Sequence, residues 1–167
     1  MTSFHWRDEL MFHVHTTIDR YGFFIQYVMG DRGEPSWGYS IGFLQHGHPE
    51  VVVIGLDDIS TAGVLHCLYD EIVDGIHRPV GVRMDDLGSG ETPVHLLPVP
   101  GEHWLESGDR LCTAVDYYDA IAWNPSELSA LQLVWAAPDG SFPWDPECSA
   151  RFRHLQPILD PGFRRAA

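Results

Sequence analysis

Lysine is absent from the 167 residues, and all ten basic side chains are arginine against 24 aspartates and glutamates. Without lysine there is no Schiff-base chemistry and no Walker-loop lysine for a phosphate. The resulting formal charge of −14, counted with neutral histidines, excludes a protein whose main work is gripping nucleic acid through its phosphates. Cysteine is scarce as well. Cys67, Cys112 and Cys148 are odd in number and lack CxxC spacing, so they read as free thiols of a cytosolic chain. No apolar run approaches the roughly 18 residues of a membrane span, and residues 1–8 lack the basic and apolar blocks of a signal peptide. The expectation is a cytoplasmic protein with neither a nucleic acid nor a membrane as partner.

Apolar residues make up 44% of the chain and charged residues 20%, enough to bury a real core. The length suits one domain over residues 1–167, with no internal repeat and an irregular, arginine-containing tail from residue 146 on. Histidine is abundant at ten residues, and full protonation would move the formal charge from −14 to −4. Solubility should therefore change sharply as the pH falls towards about 5.

Helical spacing of Trp6, Leu10, Val14 and Ile18 ends at Gly22. Residues 23–29 and 37–43 read as a β-hairpin around the turn 30–35. The uninterrupted apolar run 51–56 suits a central strand covered on both faces. Asp57, Asp58 and Ser60 then supply helix-capping chemistry for a helix to Asp74 with Leu65, Leu68 and Ile72 on one stripe. Strands are expected at 80–84 and 94–99, the second pushed to a sheet edge by Pro98. A short helix follows near 109–119, and 131–136 is the last strand. The fold class is α+β: a mostly antiparallel twisted sheet or partly closed barrel of six or seven strands, with two longer helices and one short one.

Within the second hairpin strand, Trp37, Tyr39, Ile41 and Phe43 alternate with Gly38, Ser40 and Gly42. Such a flat stripe suits a helix packed tightly on the backbone, a sheet curling into a barrel, or a ligand lying along the strand with Ser40 as a hydrogen-bond donor. Two His-x-His pairs invite a metal reading. His13 and His15 sit two apart on a helix and diverge; His46 and His48 sit in the loop 44–50, where both rings could converge near Glu50. Cys67 reads as a buried, unreactive thiol, and Asp57-Asp58 as a cap rather than a catalytic pair. Trp135 and Trp144 flank the turn after the last strand, as the wall of a pocket or as part of a closing hairpin.

Four blocks, Gly38-Tyr39-Ser40-Ile41-Gly42, residues 48–56, Leu131-Gln132-Leu133-Val134-Trp135 and residues 139–144, bracket about two-thirds of the chain. Together they resemble the signature of a bacterial domain-of-unknown-function family of the DUF4262 type. That resemblance implies a bacterial cytoplasmic protein and brings no established activity. The layout is also distantly similar to flavin-reductase-like split barrels. The missing lysine and the scarcity of arginine in mid-chain count against a strong flavin phosphate site, although backbone amides could serve.

The leading expectation is a pocket for a small organic ligand, lined by the 38–42 strand, the 44–50 loop and the 131–144 hairpin. Gly38, Ser40, Gly42, Gln132, Trp135 and Trp144 would contact the ligand, with His46 or His48 transferring protons near neutral pH. An interaction module binding another protein through its acidic surface is a second expectation. A metal-dependent enzyme using His46 and His48 with His95 or His103 is a third. Cofactor, reaction and oligomeric state are not fixed by the sequence.

Overall fold

The fold is described for residues 3–105, 110–160 and 162–163 in a computed structural model. Its centre is strand β3 (Glu50–Ile54), buried along its whole length. Alternation along the strand sends Val51 and Val53 to one face of the sheet and Val52 and Ile54 to the other. Apolar partners wait on both sides, as the uninterrupted run 51–56 led one to expect. Strand β2 (Trp37–Ile41) lies antiparallel to β3 and is joined by a hairpin to β1 (Phe24–Val28) at the sheet edge. On the other side of β3 runs β5 (Ala130–Trp135), parallel to it, and β4 (Val94–Pro98) closes the opposite edge antiparallel to β5.

Helix α2 (Asp58–Val73) covers one face through Leu65, Leu68 and Ile72, which pack on Val51, Val53, Leu131 and Leu133. Helix α1 (Ser3–Tyr21) and helix α4 (Cys112–Ala120) cover the other. There Val14, Ile18, Ala114 and Tyr118 meet Tyr39, Ile41, Val52 and Ile54. A short helix, α3 (Glu102–Leu105), precedes α4. Beyond them Leu97 and Val134 are covered by Phe142, Trp144, Ile158 and Phe163.

The Asp57 carboxylate caps α2 by accepting the Ser60 N–H at 2.7 Å. Bonds from the Ser60 N–H and hydroxyl hold that carboxyl below its ordinary pKa. Its contribution is therefore present above the unfolded-state pKa and disappears as the pH falls through the lowered folded one. Asp57→Ala should melt at a lower temperature than the wild type at neutral pH, and the two melting curves should draw together in acid.

Several expectations need correction. Among the described residues the sheet has five strands, is mixed because β3 and β5 run parallel, and stays open rather than closing into a barrel. Residues 80–84 form turns held to β4 by the Gly81–Leu96 and Met84–Val94 backbone bonds, without becoming a strand. Two turn-prone residues, Pro79 and Gly81 (φ +76), interrupt any extended run there. Five helices among the described residues replace the three expected, because α3 and α5 (Ala150–Leu155) are too short to carry a periodic signal.

The tail is built into the fold over its described part. Ser149 caps α5. Gln156 bonds the N–H and the carbonyl of Trp135 at 2.8 Å each, and Arg153 donates to the carbonyls of Pro143 and Asp145. Arg164 and Arg165 lie outside the described residues. No helix among the described residues is long and apolar enough to cross a membrane.

Candidate functional site

The small stripe of β2 is occupied by the protein itself. A Cβ on Gly38 would stand 2.7 Å from Thr61 Cγ2 of α2 and 3.1 Å from Tyr27 Cδ2. One on Gly42, just past the strand, would stand 2.9 Å from the Gly22 carbonyl oxygen. Ser40 is fully buried. The glycines thus let α2 and residues 22–23 press onto the backbone, and no ligand has room along 38–42. Of the readings open in the sequence, close helix packing is the one realised at Gly38.

Ser40 instead serves a buried carboxylate. Its hydroxyl donates to Glu50 Oε2 and accepts the Val51 N–H at 2.9 Å. Glu50 Oε1 accepts from the Tyr118 hydroxyl, from the Gly42 N–H at 2.9 Å and from the Leu44 N–H at 3.1 Å. Burial pushes the Glu50 carboxyl above its ordinary pKa, and these four donors only partly oppose it. Burial, reinforced by the neighbouring carboxylate, holds the Tyr118 phenol well above its own ordinary value. The cluster ties β2, β3, the 3-10 turn Phe43–His46 and α4 together inside the protein.

The candidate histidines do not converge. His46 is exposed and bonds the Gly22 carbonyl at 3.1 Å, with its ring edge-on to Tyr69. His48 is buried, donates from Nδ1 to the Pro49 carbonyl at 2.7 Å, and is held below its ordinary pKa chiefly by burial. His103 lies against the Leu159 carbonyl, and His95 is edge-on to Phe142 and Trp144. Among the described residues no three metal-ligating side chains gather.

Gln132 and Trp135 part company because neighbouring parities of a strand face opposite ways. The Gln132 amide donates to the Pro157 carbonyl and accepts the Leu159 N–H, at 2.8 Å each, so it staples the C-terminal segment to β5. Trp144 lies on that same face, stacked on Phe142 with ring centroids 4.9 Å apart. Trp135 lies on the α2 face, its indole N–H bonded to the Ile54 carbonyl at 2.9 Å.

A cleft of about 790 Å³ opens beside Trp135, within the usual range for small-molecule sites. One wall is the first half of α2, with Ser60, Gly63, Val64 and Cys67; another is the loop 87–94; the third is the end of β5 with residues 136–140. Cys67 is half-buried on this wall rather than sealed in the core. Only the 131–144 part of the expected pocket lines it; neither 38–42 nor 44–50 does. The missed residues had one visible signal, a glycine at position 63 in the middle of an amphipathic helix.

A family model described as a domain of unknown function (DUF4262) matches residues 17–149. No curated protein and no solved structure matches the chain, so the split-barrel likeness has no structural neighbour behind it.

Proposed function

The chain belongs to the DUF4262 family, whose description assigns no activity, and we propose from geometry that it binds a small organic molecule in the cleft between α2, residues 87–94 and the end of β5. The observation that carries this reading is Gly63. A glycine inside a helix destabilises it by about 0.5–1 kcal/mol relative to alanine. A glycine inside a regular element normally admits a close neighbour, as Gly38 of β2 admits Thr61. Gly63 is exposed, and apart from its own helix's backbone no described residue lies within 4 Å of the place its Cβ would take; it borders the cleft.

Position supports the same reading. The cleft lies beyond the carboxyl ends of the parallel strands β3 and β5, bordered by Leu56 and Trp135, where ligands of parallel sheets commonly bind. Its floor is apolar, with Val64, Leu133 and Trp135.

Two variants test the reading. Gly63→Ala should stabilise the protein by about 1 kcal/mol in urea denaturation and leave room for a ligand. Gly63→Leu should fold and fill the cleft. In a thermal-shift screen of small aromatic compounds, hits on the wild type should persist in the alanine variant and vanish in the leucine variant. Hits that raise the melting temperature of Gly63→Leu equally would put the binding site elsewhere.

A further inference from the structure

Building on that cleft, we propose that its ligand is a cation: an amine whose charge sits between Glu91 and Asp139 while a flat apolar body lies against Val64 and Trp135. Among the described residues, the only charged side chains bordering the cleft are those two carboxylates, and no arginine or histidine borders it. The two arginines nearest Glu91 in sequence are engaged elsewhere. Arg78 pairs with Glu71 and Asp86, at 2.5 and 2.7 Å, and Arg83 with Asp85 at 2.8 Å.

Glu91 and Asp139 are thereby left without a counter-ion among the described residues. Asp139 accepts the Ser141 N–H and hydroxyl on Oδ1, at 2.9 and 2.6 Å, which leaves Oδ2 for an incoming donor. The same two bonds hold its carboxyl below the ordinary pKa, so it stays ionised at neutral pH. A phosphate or carboxylate entering here would meet two negative charges with nothing positive to offset them. An ammonium would meet both carboxylates and an indole, which attracts cations through its ring face. The chain's formal charge of −14 draws cations and repels anions over a longer range.

Three probes sharing one ring separate charge from shape: tryptamine as cation, 3-methylindole as neutral analogue and indole-3-acetate as anion. By isothermal titration in low salt, tryptamine should bind the wild type about tenfold tighter than 3-methylindole, as ion pairs and a cation–π contact at a partly exposed site allow, with indole-3-acetate weakest. In the double variant Glu91→Gln, Asp139→Asn the preference should collapse towards unity while 3-methylindole keeps its affinity; the asparagine retains an oxygen for Ser141. Gly63→Leu should lose all three. Equal binding of the neutral probe by the wild type, or a preference that survives the double variant, would overturn the cation and leave the cleft intact. Failure of tryptamine to bind at millimolar concentration would also overturn it. Neutral or anionic hits in the thermal-shift screen that Gly63→Leu abolishes would then keep the cleft with a different ligand, whereas hits that ignore Gly63→Leu would remove both.

Discussion

Glu50→Ala should lower the stability of the protein by about 3–5 kcal/mol, because several neutral buried donors are left unpaired at about 1–3 kcal/mol each. Three buried donors lose their acceptor together, the hydroxyls of Ser40 and Tyr118 and the Leu44 N–H, while the Gly42 N–H is left with the Tyr118 oxygen at 2.9 Å. None can turn to water, since Ser40 and Glu50 are fully buried and Tyr118 nearly so, and an unsatisfied buried polar group carries its full desolvation penalty. Glu50→Gln should be far milder, about 1 kcal/mol. Its carbonyl can keep the three donors at Oε1, and its amide can face the Ser40 oxygen. Midpoints of urea denaturation at one pH check the order.

The same pair of proteins reads the carboxyl's proton. Burial raises the folded pKa of Glu50, so the folded state holds its proton at pH values where the unfolded state has released it. Stability then falls as the pH rises from about 4.3, the ordinary glutamate value, to the raised folded value, and is flat outside that window. Glu50→Gln has no such fall. Wild type minus variant should therefore be most favourable in acid and shrink towards neutrality, whereas a constant difference from about pH 4 to 8 would mean an unshifted carboxyl. His48 acts with the opposite sign: its folded pKa is lowered, so its contribution is lost as the pH falls below about 6.5. It is common to both proteins and cancels from the difference.

What the sequence made legible follows from how locally each feature is encoded. The hairpin of β1 and β2, the doubly buried β3, the capped α2 and the edge position of Pro98 all come from runs of ten or so residues whose periodicity or turn chemistry decides the outcome. The parallel pairing of β3 with β5 joins residues about 80 apart, and no local pattern specifies it. The cleft depends on that pairing, because Leu56 and Trp135 are brought together only when the two strands end side by side. Trp135 was therefore recognisable as a wall residue while its companions on α2 and in residues 87–94 were not. Gln132, Trp144 and the 38–42 stripe are engaged within the fold in a comparable way. Each has the composition of a binding surface, and each is used instead to pack or staple the protein's own segments.

Gly42→Ala should destabilise the fold by about 2–4 kcal/mol, combining a strained backbone with overpacking. Gly42 has φ +119, which a side chain rarely adopts, and its Cβ would meet the Gly22 oxygen at 2.9 Å and Phe23 Cα at 3.1 Å. Both neighbours are backbone, so neither can swing aside as a flexible side chain could. Gly47, at the other end of the same 3-10 turn, supplies the control: it has φ +76 with nothing within 4 Å of its Cβ. Gly47→Ala should cost only the left-handed penalty of about 1–2 kcal/mol. The excess at Gly42 reports the crowding against residues 22–23. Because Gly42 also donates to Glu50, shifting its backbone should disturb that carboxylate. Gly42→Ala and Glu50→Gln should then combine non-additively in urea denaturation, with a coupling above about 0.5 kcal/mol, whereas Gly47→Ala and Glu50→Gln should simply add. Additivity in both cycles would mean that the tight turn and the buried carboxylate stabilise the fold independently.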